Sequence, residues 1–152
     1  MTYILTWNPS KFNWEAFADG KPTRKPPFYA NWTCRSTRPE PGDRFIMLRL
    51  GSGNRNGIVA TGQIVSFPYT AVSWEHKTSL FIDILIEVLF ENEYQQHLLK
   101  DAFPEQCWSP QSSGISLKTQ YEDSFWNVIE TYRINPSAND MVSVMNRIGI
   151  EQ

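Results

Sequence analysis

The amino-acid sequence predicts a mixed α+β domain built on a small, curved, mostly antiparallel sheet. Three observations carry that prediction. Leu80, Ile82, Ile84, Ile86, Val88 and Phe90 alternate with Asp83, Glu87 and Glu91, the period of a strand with one apolar face. Two apolar runs, 44–50 and 58–67, flank Gly51-Ser52-Gly53-Asn54-Arg55-Asn56-Gly57, a composition suited to a hairpin loop. Beyond residue 118, Tyr121, Phe125, Val128, Ile129 and Tyr132 recur at helical spacing.

Taken in chain order, Tyr3-Ile4-Leu5-Thr6-Trp7 reads as an opening strand rich in aromatic and β-branched residues. Asn8-Pro9-Ser10 ends it, and Ser10 is placed to cap a short helix over 11–18. A polar, Pro-rich stretch then runs to Asn31, carrying Phe12, Trp14, Phe17, Phe28 and Tyr29. Connections this long in a compact domain tend to be functional. Pro41-Gly42-Asp43 is a turn, and Gly62, inside the second apolar run, marks a bulge or bend. A short helix is expected over 94–101. Thr119 and Glu122 have capping-box spacing before the next helix. Ser137 and Asp140 are placed to start a last helix over 137–148, carrying Met141, Val144, Met145 and Ile148. There is no internal repeat, and residues 1–152 read as one domain.

Composition narrows the class. With 152 residues, 41% hydrophobic and 20% charged, the chain is neither disordered nor of low complexity. A domain of this length buries roughly two-thirds of its unfolded surface and needs no disulfide or metal to hold a core. No apolar run approaches the ~18–20 residues of a membrane span, and the start has no basic, then apolar, secretory pattern. Cys34 and Cys107 form no CxxC, so the chain reads as a cytoplasmic protein with reduced thiols. His76 and His97 are isolated. No phosphate-binding glycine loop, GxSxG, HExxH or DxDxDG pattern is present, and no cofactor is expected. Binding is a better class than catalysis. The enzymatic alternative, a small enzyme acting on nucleotides, would rest on Glu87 or Glu91.

The net charge of -2 hides an asymmetry. Residues 1–60 hold nine basic side chains (Lys11, Lys21, Arg24, Lys25, Arg35, Arg38, Arg44, Arg49 and Arg55) against four acidic ones, for +5, which leaves the rest of the chain at -7. A basic half can supply a phosphate-binding surface, and it can equally be ordinary solvated surface.

Three segments taken together are more specific. They are Ile4-Leu5-Thr6-Trp7-Asn8-Pro9 followed by Phe12 and Trp14; Pro41-Gly42-Asp43-Arg44-Phe45 with its strand, then Gly57-Ile58-Val59-Ala60-Thr61-Gly62; and Trp108-Ser109-Pro110-Gln111-Ser112-Ser113-Gly114-Ile115 ahead of Phe125-Trp126. This order resembles the EVE domains of the PUA-like superfamily over residues 1 to about 130. It is most similar to those at the N-terminus of modification-dependent HNH restriction endonucleases. The resemblance implies a small β-barrel flanked by helices. It also implies a pocket that takes one modified base, 5-methylcytosine or 5-hydroxymethylcytosine, flipped out of duplex DNA. A nuclease domain or subunit would then be the partner. The chain itself contains no HNH metal motif, so the nuclease activity of that group does not carry over. The related YTH domains make a modified-RNA reader the alternative.

Such a pocket needs flat apolar walls and a few fixed polar groups. Trp14 and Trp32 are the first candidates for walls, and Trp7 and Trp108 the second; plain core packing is the competing role of each. Asn8, Asn31, Ser109, Gln111 and Ser112 can present amide or hydroxyl groups to a base edge. The Ser residues of that loop can instead bond their own backbone. Arg24, Lys25, Arg35, Arg55 and Lys118 are the candidate phosphate contacts.

Overall fold

The structure, a computed structural model, describes residues 1–53, 55–73 and 75–135; the helix expected over 137–148 lies outside them. Strands β1 (Thr2–Trp7), β4 (Phe28–Thr33), β5 (Arg44–Arg49), β6 (Gly57–Ile64), β7 (Tyr69–Val72), β8 (Thr78–Gln95) and β9 (Ile115–Ser116) form one sheet. Its order is β4-β8-β6-β5-β1-β9, with β7 also paired to β8. A separate two-stranded ribbon joins β2 (Phe17–Ala18) to β3 (Lys21–Pro22). Helices α1 (Gln96–Ala102) and α2 (Glu122–Ile134) complete the fold. All sheet pairs are antiparallel except β1 with β5, which the long 8–43 crossover permits. The mixed α/β class with a mostly antiparallel sheet is as expected. Among the described residues the strands follow an open path, and the sheet is not closed into the barrel that the resemblance implies.

Both faces of the sheet are buried, which explains why 44–49 reads as an unbroken apolar run rather than an alternating one. On one face Tyr3, Leu5, Trp7, Phe45, Met47, Ile82, Ile84 and Ile86 meet Trp14, Phe17 and Trp32. On the other, Ile4, Ile46, Leu48, Ile58, Phe90 and Tyr94 meet Leu99, Trp108, Phe125, Trp126 and Ile129. Ile86 and Phe90 have the same strand parity yet face different cores. The register shift between Thr61, paired with Val88, and Gly62, paired with Ile86, accounts for this, since one inserted residue exchanges the faces. At Gly62 a Cβ would lie 1.9 Å from the Leu85 carbonyl oxygen, so the bulge requires glycine.

Three local expectations are corrected. Residues 11–18 form no helix: the Asn8 carbonyl accepts from Lys11 and Phe12, and the chain then enters the β2–β3 ribbon. The 28–33 segment, read as part of a loop, is β4, paired along β8 from Phe28↔Ile86 to Thr33↔Phe81. The capping box is not made. Residues 119–121 are a 3-10 turn, and Glu122 accepts from the Thr2 hydroxyl at 2.5 Å while that hydroxyl accepts from Trp126 Nε1 at 2.8 Å. The expected helix over 94–101 is α1, which begins only after β8 has passed Tyr94.

Candidate functional site

The segment 8–27 covers the first core with irregular chain rather than a helix, and three adjoining cavities open around it. The first, about 320 Å³, is lined by Thr6, Trp7, Asn8, Lys11, Phe12, Asn31, Trp32, Thr33, Ala71, Val72 and Phe81. That volume is within the range of small-ligand sites, about 300–1,000 Å³. The second, about 790 Å³, shares Trp7 and Asn8 with it and extends to Arg49, the 51–53 loop and Arg55. The third, about 350 Å³, shares Phe12, Asn31 and Trp32 and extends to Trp14, Arg24 and Phe28.

The strand ends and loop hold the rings in place. Trp7 ends β1 and donates from Nε1 to the Phe12 carbonyl at 2.8 Å. Trp32 lies on β4 and donates from Nε1 to the Thr6 carbonyl at 2.9 Å. Both indoles are therefore fixed and almost fully buried, presenting only a margin to the first cavity. Trp14 does not oppose Trp32 as a second wall. Their centroids are 4.8 Å apart at 63°, whereas a base stacked between two rings needs them about 7 Å apart, twice a van der Waals contact. Phe12 takes that place in the lining: it is half-buried and meets Trp32 edge-on at 5.6 Å.

The polar groups are partly committed. Asn8 Oδ1 accepts from the Ser10 amide at 3.1 Å and the Ser10 hydroxyl at 2.8 Å, an Asx turn that leaves the Asn8 NH₂ as its remaining donor. Asn31 pairs with Asp83 across β4 and β8 and is exposed at the cavity. Asp83 Oδ1 accepts from the Tyr69 hydroxyl at 2.5 Å. Burial, helped by Asp83, pushes the Tyr69 phenol up to about 12, and a hydrogen bond from Asn31 opposes the shift. The Asn31 amide is thereby held by the Tyr69 hydroxyl, which is itself bonded to Asp83.

The 108–114 loop is not part of these cavities. Trp108 is in the second core, stacked on Phe125 at 5.9 Å and donating to the Phe103 carbonyl at 3.0 Å. Core packing is its role. Ser109 Oγ accepts from Gln96 Nε2 at 2.9 Å, and neither Ser109, Gln111 nor Ser112 lines any of the three cavities. The loop's contribution is Ser113, whose hydroxyl accepts from the Thr6 amide at 3.1 Å and so braces β1 beneath the first cavity.

Of the candidate phosphate contacts, Arg24 lines the third cavity, 4.1 Å above the Phe28 ring and 3.3 Å from Glu15. Arg55 lines the second cavity and is paired with Glu93. Lys25, Arg35 and Lys118 are exposed and line none of the three cavities. Lys11, an exposed cation in the lining of the first cavity, and Arg49, buried at the second, are the basic residues that sequence reasoning did not single out. The Asn8–Lys11 turn signal was available for Lys11. Nothing local marks Arg49. Glu87 accepts from Gln63 Nε2 at 3.0 Å, and Glu91 lies 3.9 Å from Lys21; both are exposed.

No family model matches the sequence, and no curated protein matches it. Among solved structures, a hypothetical protein from Leishmania major is similar in fold, with a TM-score of 0.62 and 12% identity over 87% of this chain and 96% of that one. Among the described residues, no helix is long and apolar enough to cross a membrane.

Proposed function

We propose that this protein is a non-catalytic reader of modified cytosine in DNA, 5-methylcytosine or 5-hydroxymethylcytosine, whose base enters the first cavity. One observation carries the reading. Two pairs of candidates distant from each other in sequence, Trp7-Asn8 and Asn31-Trp32, line a single cavity of about 320 Å³, with the Lys11 cation in the same lining. Trp7, Phe12, Trp32, Val72 and Phe81 supply apolar surface, and Asn8, Asn31 and Thr33 supply hydrogen-bonding groups for a base edge. Stacking a base on an aromatic ring is worth ~1–3 kcal/mol, enough to offset the few kcal/mol of unstacking from the duplex when edge hydrogen bonds add to it. A buried methyl adds ~0.8 kcal/mol, so a methyl mark alone yields only a few-fold preference. A hydroxymethyl group that hydrogen-bonds in the cavity yields a sharper one.

In this reading the chain is the specificity module of a modification-dependent restriction system, with a nuclease domain or subunit as partner. The test is fluorescence anisotropy at fixed salt on short duplexes carrying one cytosine, one 5-methylcytosine or one 5-hydroxymethylcytosine. N6-methyladenine duplex and matched RNA serve as competitors. Tighter binding to one modified cytosine duplex is expected. Preference for the modified RNA would replace DNA as the ligand, and equal weak binding to all would contradict the reading.

A further inference from the structure

We propose that the second cavity is a phosphate site centred on Arg49, adjoining the base cavity across Trp7 and Asn8. Arg49 is in the wall of this cavity with only 7% of its side chain exposed. Its Nε donates to the Arg55 carbonyl at 2.8 Å. Its Nη2 is buried and makes no hydrogen bond, although Glu93 Oε1 is 3.5 Å away. Glu93 is better engaged elsewhere: Oε1 accepts from Arg55 Nε at 3.1 Å, and Oε2 from Arg55 Nη2 at 3.4 Å. One buried carboxylate thus faces two guanidinium groups, which leaves one positive charge uncompensated. Arg49 is thus the less well compensated of the two cations, and an anion bound beside it in the adjoining cavity would supply the missing charge.

The surroundings suit an oxyanion. The exposed loop Gly51-Ser52-Gly53 forms part of the lining, and the Ser52 and Gly53 amides make no hydrogen bonds among the described residues. Free backbone amides of this kind make anion-binding concavities. The Arg55 guanidinium packs against Gly20, whose missing Cβ leaves it room: a Cβ there would come within 1.9 Å of Nη1. The acidic residues in the lining are Glu15, which is 3.3 Å from Arg24, and the exposed Asp19. A guanidinium fork matches phosphate geometry better than an ammonium would. The phosphate site stands on Arg49 alone; that its phosphate belongs to the nucleotide whose base enters the first cavity rests on the proposed function.

Inorganic pyrophosphate is the first probe, titrated into ¹⁵N-labelled protein. The Ser52 and Gly53 amides and the Arg49 Nε–H should shift saturably. The shifts should be lost in Arg49→Gln and in Ser52→Glu, the latter placing a repelling charge on an exposed loop at little risk to folding. No saturable shift at those groups in the native protein would overturn the site. So would shifts unchanged in Arg49→Gln or, should that variant fail to fold, unchanged in Ser52→Glu. A second arm compares 5-hydroxymethyl-2′-deoxycytidine with its 3′,5′-bisphosphate. The phosphates should improve affinity at least tenfold in the native protein and under threefold in Ser52→Glu. Equal affinities would break the link between the two cavities. Pyrophosphate binding without nucleoside binding would uphold the phosphate site and contradict the base-reading function.

Discussion

Two faces of one sheet, each rich in tryptophan, are finished in different ways. On the helix side, Trp108 and Trp126 both pack on Phe125, and α2, which carries Phe125 and Trp126, covers that face. On the loop side, Trp7, Trp14 and Trp32 are about as well buried, yet all three line cavities. The residue type and its burial are the same; the cover differs. A helix presents regular ridges that fill the grooves of its neighbour. The 8–27 segment follows turns, an Asx motif and a two-residue ribbon, and it cannot close every gap over the rings. In this fold a buried tryptophan lines one of these cavities where irregular chain, rather than a helix, covers it.

That contrast can be broken by mutation. The largest effect belongs to the helix side. Trp108→Ala should cost about 3–5 kcal/mol of stability in urea denaturation, with the DNA affinity of the folded fraction unchanged. A loss of affinity with full stability would return Trp108 to the binding surface. On the loop side the informative change is Phe12→Ala, because Trp32→Ala would remove a ring that also holds the core. Phe12→Ala should weaken modified-DNA binding at least tenfold, the stacking contribution of about 1–3 kcal/mol, with a smaller stability loss than Trp108→Ala. Unchanged affinity would remove Phe12 from the cavity wall.

Smaller effects sharpen the picture. Thr2→Val deletes the acceptor of the buried Trp126 indole N–H and should cost about 1–3 kcal/mol, again without changing affinity. At the rim, Arg24→Ala should alter stability by no more than about 0.5 kcal/mol. It should lower the slope of log K against log salt by roughly one if Arg24 meets a phosphate; an unchanged slope would remove that contact. The Tyr69 phenol, pushed up to about 12 by burial and Asp83, is held protonated by the fold. Its contribution is complete below pH 10 and is lost as the pH rises from 10 through 12. Tyr69→Phe should reduce the late phenolate absorbance near pH 12 by one tyrosine's share, since Tyr3, Tyr94 and Tyr132 are also pushed up by burial. An undiminished absorbance would place the shifted phenol elsewhere.

Legibility followed the range of the interactions. The strand over 80–90, the 44–49 strand and the α2 periodicity are local patterns and appear where expected, but the single apolar face expected over 80–90 divides between the two cores after Ile86. Gly62 was legible as a bulge because no other residue fits so near a neighbouring carbonyl. By contrast β4 is hidden by its polar residues and the prolines before it, since only Phe28 and Trp32 are buried in it and its partners on β8, from Phe81 to Ile86, are distant in sequence. The expected 11–18 helix gave way because Phe12, Trp14 and Phe17 are drawn onto the sheet, a tertiary demand that overrides propensity. Trp7, Asn8, Asn31 and Trp32 could be picked as pocket residues from their place at a strand end or beside a long loop. Arg49 and Glu93 could not: they lie on β5 and β8, and only the shared neighbour β6 brings them together.

The central claim is that the ligand enters on the loop side. It is tested most directly by following the indole N–H resonances of ¹⁵N-labelled protein as a 5-hydroxymethylcytosine duplex is added. The signals of Trp7 and Trp32, which frame the first cavity, should shift, while those of Trp108 and Trp126 stay in place. Shifts confined to Trp108 and Trp126, or none at all under saturating DNA, would contradict the account.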